Sequence, residues 1–209
     1  MSAKSESKHM DASASVDCVI TAAGLSSRMG QWKMMLPYGD RTILDTSIEN
    51  ALHFCSRVIL VTGHNGEQLQ QRYQPHPAIT LIHNPEFKRG LFGSIQRGLA
   101  QVESEFCFIA HGDLPRIAPT TYHRLWQHRC QHPVMPSYQG EKGHPVLLPS
   151  TAIPSILAAT ANQQKYSMKW QLKQLQPKFV EVNDEGVLWD VDTPERYQEL
   201  IKHHNANKN

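Results

Sequence analysis

The chain has 209 residues, 40% of them hydrophobic, with 21 Lys and Arg against 19 Asp and Glu. That length carries one domain with a substantial core, and the near balance of charge argues against a general nucleic-acid or membrane surface. No apolar run approaches the roughly 20 residues of a spanning helix, and the opening MSAKSESKHMDASAS lacks the apolar stretch of a secretory signal, so 1–15 read as a disordered leader and 203–209 as a disordered tail around a domain at 16–202.

Val16 to Thr21 is a short, β-branched apolar run before a Gly-containing loop, the pattern of a buried strand. From Thr42 to Ser56 apolar residues recur at helical spacing behind an N-cap threonine with Asp45 three positions on. RVILVTG reads as the next strand, GEQLQQRY as a polar helix and AITLIHN as a third strand. KRGLFGSIQRGLAQV is a helix with a Gly-rich start, and EFCFIAHGD is a fourth strand whose continuous apolar run suits a sheet covered on both faces. APTTYHRLWQHR is a helix with proline in its first turn. HPVMPSY and HPVLLP are strand-like pieces around QGEKG, and a mostly helical stretch follows from Ile153 to Leu175. KFVEV and VLWDV form a closing hairpin or strand pair, and TPERYQELIKHH closes as a helix. Strands alternating with helices predict a single-domain three-layer α/β/α fold with a mostly parallel sheet. Cys18, Cys55, Cys107 and Cys130 show no C-x-x-C spacing and read as reduced core thiols of a cytoplasmic protein. Among the twelve histidines no H-x-x-x-H spacing occurs beside a helix-borne acid, and most read as surface residues.

Ligands of such folds sit outside the carboxyl ends of the strands, which directs attention to the loops at 22–37, 62–66, 84–94, 111–116 and 190–194. The first offers Ala22, Ala23, Gly24, Ser26 and Ser27, whose small side chains let backbone N–H groups approach phosphate oxygens. Arg28 can fork onto a phosphate and Lys33 can act as a point charge. Neither G-x-x-x-x-G-K-[ST] nor G-x-G-x-x-G is present, so this loop alone also fits an ordinary strand–helix connection. Asp113, at the end of the fourth strand, is placed either to hold a Mg²⁺ ion on phosphates or to form a turn. Asp190 and Asp192 point the same way in an extended segment, and Asp192-Thr193-Pro194-Glu195 is also a good helix start. His111 reads as a satisfied strand-end histidine rather than a catalyst.

TAAGLSSRMGQWKMMLPYGDRTILD resembles the signature loop of the molybdenum-cofactor nucleotidyltransferases, whose pattern runs A-A-G-x-S-x-R-M-G, then K, L-P and a T-I-L-D-like helix start. The likeness continues in order through VILVTGHNGE, NPEFKRGLFGSIQRGL, GDLP, GHPVLLP and DVDTPERY, over about residues 16–200. The Ala-Ala-Gly start is more similar to the cytidylyl-transferring branch than to the guanylyl branch. The resemblance implies the nucleotide-diphospho-sugar transferase fold and a cytoplasmic, Mg²⁺-dependent enzyme. It would move CMP from CTP to the phosphate of a molybdopterin-type cofactor, with a molybdenum hydroxylase apoenzyme as a possible receiver. It implies that Ala22 to Gly30 bind the triphosphate, with Arg28 and Lys33 on its oxygens, and that Gly63, Gly90 and Ser94 join the nucleotide set. Asp113 and Asp192 would hold the metal, Gly143 and His144 would face the acceptor, and Arg28, Lys33 and Asp113 would carry catalysis.

The chain departs from the family pattern twice. Gly90-Leu91-Phe92-Gly93-Ser94 replaces G-M-x-x-S, and ANQQKYSMKWQLKQL replaces a Gly-Asp-x-Gly-x-Arg segment. In that segment Lys165, Lys169 and Lys173 fall on one helical face, expected to be solvated. Two other functions fit the same residues. One is nucleotidyl transfer to a sugar or alditol phosphate, and the other is a non-catalytic accessory protein for hydroxylase maturation.

Overall fold

The structure, a computed structural model, describes residues 15–160 and 166–206. The chain runs β1 (Asp17–Ala22), β2 (Pro37–Tyr38), β3 (Arg41–Thr42), α1 (Ile43–Leu52), β4 (Arg57–Thr62), α2 (Gly66–Tyr73), β5 (Ile79–His83) and α3 (Leu91–Leu99). It continues with β6 (Phe106–His111), α4 (Pro119–Gln127), β7 (Val134–Tyr138), β8 (Glu141–Lys142), β9 (Val146–Pro149), α5 (Ile153–Leu157), α6 (Met168–Gln174), β10 (Lys178–Glu181) and α7 (Pro194–Ala206). Among the described residues one sheet has the order β10-β7-β9-β6-β1-β4-β5, with β8 paired outside that path to β7, and β2 and β3 form a separate small hairpin. β1 pairs in parallel with β4 and β6, β4 with β5, and β10 with β7. β9 runs antiparallel to both β6 and β7. The expected mostly parallel sheet is present, with β9 as the reversed strand inside it.

All six residues of β1 are buried, and alternation sends them to two cores. Cys18, Ile20 and Ala22 pack with Leu44, Tyr122 and Leu125 on one face. Val19 packs with Ile95, Leu99 and Ile156 on the other. The apolar run therefore reflects cover from both sides, and the three layers follow. α3 lies close on the sheet because Gly98 has no side chain to strike Val19 and Val61. A smaller third core joins Met29, Ile43, Trp189, Val191 and Leu200, which fastens α7 beside the loop after β1. Cys18, Cys55 and Cys107 are buried and free, and Cys130 is half-buried.

The topology reverses at β1. The chain proceeds outward through β4 and β5, then returns to place β6 on the other side of β1. The carboxyl ends of β1 and β6 thus flank the crevice where open α/β sheets bind ligands. α1 fixes that rim. Its capping box is complete, with Asp45 N donating to Thr42 Oγ1 at 3.1 Å and Thr42 N donating to Asp45 Oδ2 at 2.9 Å. One turn on, Ser47 Oγ donates to the Gly112 carbonyl at 3.1 Å and Asn50 Nδ2 to the Pro115 carbonyl at 2.9 Å. The loop carrying Asp113 is pinned from both ends.

Three expectations are corrected. VLWDV is not a strand: Glu185–Leu188 is a 3-10 turn capped by Asp184, whose Oδ1 accepts from Gly186 N at 2.9 Å. Val191 N then donates to the Asp113 carbonyl at 3.1 Å rather than into a ladder. The closing helix runs to Ala206, so residues 203–206 are not a disordered tail; His204 packs against Tyr38 with ring centroids 4.8 Å apart. The stretch from Ile153 to Leu175 contains two short helices, and residues 161–165, Lys165 included, lie outside the described residues, as do the leader residues 1–14. Among the described residues no helix is long and apolar enough to cross a membrane.

Candidate active site

A cavity of about 570 Å³ opens at the carboxyl ends of β1 and β6. The loop after β1 contributes Ala23, Gly24, Ser26, Ser27, Arg28 and Lys33 to it. Ser26 and Gly30 both take left-handed φ angles, 55° and 65°, and they bend the loop back over the strand ends. Ser26 Oγ accepts from Lys33 N at 3.2 Å, which closes the loop on itself.

The centre of the cavity is a cluster of charges. Lys33 Nζ lies 2.5 Å from Asp113 Oδ2 and 2.7 Å from Asp192 Oδ1, and Arg28 Nη2 lies 2.6 Å from Asp192 Oδ2. The lysine side chain is only 10% exposed, while that of Arg28 is 71% exposed. Burial works against the lysine's charge, but the two carboxylates outweigh it and hold its pKa above the ordinary value. Asp192 shows the converse. Burial opposes its ionisation, and the hydrogen bonds from Lys33 and Asp190 outweigh that and keep its pKa low. Asp190 takes the opposite shift, raised by burial and then by the neighbouring Asp192 and Asp113.

A tryptophan clamp holds the two acidic segments together. Trp189 lies beneath two guanidiniums, with Arg196 Cζ 4.0 Å and Arg116 Cζ 4.5 Å from its ring centroid. Arg116 also pairs with Glu185. Because Arg116 follows Asp113 by three residues and Trp189 precedes Asp192 by three, this stack and the Val191–Asp113 backbone bond set the separation of the two carboxylates. Sequence reasoning missed Trp189, Arg116 and Arg196; a tryptophan beside two acids was the available signal.

Gly143 and His144 also line the cavity. A Cβ on Gly143 would lie 2.5 Å from the Val187 carbonyl oxygen, so glycine lets the strand returning from β8 touch the 185–188 turn. His144 N donates to that same carbonyl at 3.0 Å. The rings of His111 and His144 meet edge to face with centroids 4.3 Å apart, and His111 Nδ1 is 2.9 Å from Thr21 Oγ1. Burial first, then the Lys33 charge, brings the His111 pKa down to about 4. Burial, then His111, brings that of His144 down to about 3. Both rings are neutral at pH 7. His144 Nδ1 is buried without a hydrogen-bond partner among the described residues.

A second cavity, about 660 Å³, adjoins the first through Leu91, His111, Lys142 and His144. Its walls are apolar, with Ile95, Ile109, Met135, Val146 and Leu172, and its mouth carries Lys169, Lys173 and Phe179. The two lysines were expected on a solvated helix face. They remain exposed, yet α6 turns them toward this cavity. Lys142 Nζ rests 4.3 Å from the Phe179 ring centroid.

The structure sets several expected nucleotide residues elsewhere. Ser94 is buried on the inner side of α3, where its hydroxyl accepts from Asn84 Nδ2 at 2.9 Å and braces the loop after β5. A Cβ on Gly63 would meet Phe87 at 2.6 Å and Ala23 at 2.9 Å, which makes its smallness a packing requirement. Ala22 is fully buried at the end of β1. Gly30 and Gly90 do not line the cavity and serve as positive-φ hinges, Gly90 with φ 116° at the start of α3.

Asp113 and Asp192 can reach one common cation, since both already contact a single ammonium. No group of three or more His, Cys, Asp or Glu among the described residues could hold a metal by itself. Two carboxylates with phosphates and water completing the shell is the donor set that suits Mg²⁺, so the residues fit the ion.

Residues 18–176 match the family described as MobA-like NTP transferase domain. The chain is 43% identical over 192 residues to the molybdenum cofactor cytidylyltransferase of Escherichia coli K12, covering 88% of this chain and 98% of that one. Among solved structures, a nucleotidyl transferase from Methanothermobacter superposes with a TM-score of 0.80 at 19% identity over 92% of this chain and 99% of that one. Molybdopterin-guanine dinucleotide biosynthesis protein A from Archaeoglobus fulgidus superposes at 0.69 and 15% identity over 91% of this chain and 99% of that one. These two likenesses establish the fold.

Proposed function

The chain belongs to the MobA-like NTP transferase family, and from that premise we propose that it transfers CMP from CTP to the phosphate of the molybdenum (molybdopterin) cofactor, releasing pyrophosphate. The observation that carries this reading is the pair of adjoining cavities. One is donor-rich and centred on Lys33, Asp113 and Asp192; the other is apolar and rimmed by lysines. A transfer between two bound phosphates needs two such lobes meeting at one junction. The apolar walls suit the faces of a fused-ring acceptor whose polar edges reach the rim, and the lysines at the mouth suit its phosphate, whereas a sugar or alditol phosphate would turn hydroxyls onto those walls. The name of the E. coli relative agrees with this acceptor.

In the proposed reaction an oxygen of the acceptor phosphate attacks the α-phosphorus of CTP, and the bond from that phosphorus to the bridging oxygen breaks. The attacking group is already an anion, so no side chain needs to remove a proton. Catalysis is then positioning and charge neutralisation. Backbone N–H groups of Ala23 to Ser27 cradle the triphosphate, and Lys33 and Arg28 neutralise the leaving pyrophosphate. Mg²⁺ on Asp113 and Asp192 would supply the remaining positive charge on the phosphates. His144, neutral, lines both cavities and so stands beside the acceptor at their junction.

Pyrophosphate release in Mg²⁺, with CTP, GTP or ATP and with or without the molybdenum cofactor, tests the proposal. Release only with CTP plus cofactor is expected. Release with a sugar phosphate instead would move the acceptor assignment, and tight cofactor binding with no release would favour an accessory protein. Lys169→Ala is expected to raise the KM for the cofactor by about tenfold through loss of one charged contact, with CTP binding unchanged. An unchanged cofactor KM would remove α6 from the acceptor site.

A further inference from the structure

We infer that Lys33 is a placeholder cation that competes with the divalent ion for Asp113 and Asp192, so that nucleotide strengthens metal binding partly by drawing the ammonium away. This rests on the metal reading above and adds a second task to a lysine otherwise assigned to phosphate. The geometry is direct. One ammonium bonds to Asp113 Oδ2 and to Asp192 Oδ1, and Arg28 takes the other oxygen of Asp192. Both carboxylates are therefore already neutralised, at side-chain exposures of 14% and 23%.

A divalent ion and an ammonium cannot share that point. They would repel across a few ångströms in a partly desolvated site, where charges interact more strongly than in water. For the ion to bind the free protein, Lys33 must give up two carboxylates at once. A triphosphate offers it an anion of comparable charge in exchange. Removing the competitor and adding phosphate ligands both raise metal affinity, and by linkage the metal raises nucleotide affinity by the same factor. The ammonium also has a use before substrate arrives: it keeps two like charges together that would otherwise push apart.

Ordinary bridging of a metal by phosphates would also make nucleotide and metal cooperate. The discriminating measurement therefore omits nucleotide. Mn²⁺ binding, read by the loss of free-ion electron paramagnetic resonance, is measured for wild type, Lys33→Met, Lys33→Arg and Arg28→Ala, each with and without CTP. Without CTP, Lys33→Met is expected to bind Mn²⁺ about tenfold tighter than wild type, because two carboxylates have lost their competing cation. Lys33→Arg, which keeps the charge, is expected to show no gain. CTP is expected to strengthen Mn²⁺ binding less in Lys33→Met than in wild type. A folded Lys33→Met that binds Mn²⁺ no tighter than wild type would overturn the inference. Should circular dichroism show that variant unfolded, Lys33→Gln, also uncharged, decides by the same reading, and no gain in it would overturn the inference. Arg28→Ala, at a side chain 71% exposed, controls for the loss of a nearby positive charge and is expected to gain less than the Lys33 variants. If wild type with CTP captures no Mn²⁺ at all, the metal reading itself fails, which is a separate result.

Discussion

Asp113→Asn is expected to lower the turnover of pyrophosphate release by about 100- to 1,000-fold, which corresponds to ~3–4 kcal/mol of lost transition-state stabilisation. The substitution keeps the shape of the side chain and removes its charge. In the resting site Asp113 bonds to Lys33 at 2.5 Å, at the end of a strand whose loop is held by Ser47 and Asn50. None of those supports depends on the carboxylate, and Lys33 retains Asp192. The thermal midpoint should therefore move by only a few degrees at most, about the effect of ~1 kcal/mol in a domain of this size. The loss belongs to the reaction, where two anions must approach each other and the carboxylate is half of the acidic pair that the described residues direct at one cation. Turnover at saturating CTP and cofactor, measured beside the unfolding midpoint, checks both parts. Turnover near that of wild type would remove Asp113 from the catalytic set.

The largest effect on stability is expected at the amino-terminal end of β1, far from the cavity. Asp17 is 1% exposed. It accepts from Arg57 Nε at 2.8 Å and Nη2 at 2.9 Å, and from the backbone N–H of Glu103 at 2.9 Å. Asp17→Ala removes the carboxylate from a half-buried guanidinium, which keeps only the Gln101 carbonyl and the exposed Glu103, and from the backbone N–H groups of Glu103 and Ser104, which costs roughly 3–5 kcal/mol. Urea unfolding should show that loss, while turnover per folded molecule stays unchanged because the site lies at the far ends of the strands. The pH dependence carries a definite sign. Burial alone would raise the Asp17 pKa, but the bonds from Arg57 and from the Glu103 and Ser104 backbone outweigh it and lower the value below the ordinary carboxylate range. A depressed folded pKa contributes stability that is complete above the unfolded pKa of ~4 and fades as pH falls through the folded value. Asp45, held down in the same direction by Arg72 and Tyr73 against burial, adds to that slope. The acid limb of wild type should therefore be steeper than that of Asp17→Ala, and equal slopes would show that Asp17 is not an ionised partner of Arg57.

Much of the candidate active site is legible in the chain itself. Gly24, Ser26, Ser27, Arg28 and Lys33 lie in one loop behind an apolar strand, and a short loop keeps its residues together whatever the rest of the chain does. The Thr42 cap with Asp45, the strand ends and the family resemblance are legible for the same reason: each depends on neighbours a few positions away. Ser94 enters by resemblance alone, and only the packing of α3 shows its hydroxyl turned to Asn84. VLWDV misleads because alternating apolar residues fit a 3-10 turn that sends Val187 to one core and Trp189 and Val191 to another as well as they fit a strand. Lys169 and Lys173 have the right spacing for one helix face, but only the placement of α6 beside β7 and β9 turns that face toward a cavity. The contact between Lys33 and Asp192 spans 159 residues, and no local pattern encodes it. It exists because the register of β1 beside β6 brings two loops to one rim, and because the Trp189 stack and the Val191 bond fasten the last acidic segment there. Local sequence determined which groups could do chemistry; long-range strand order and packing decided which of them meet.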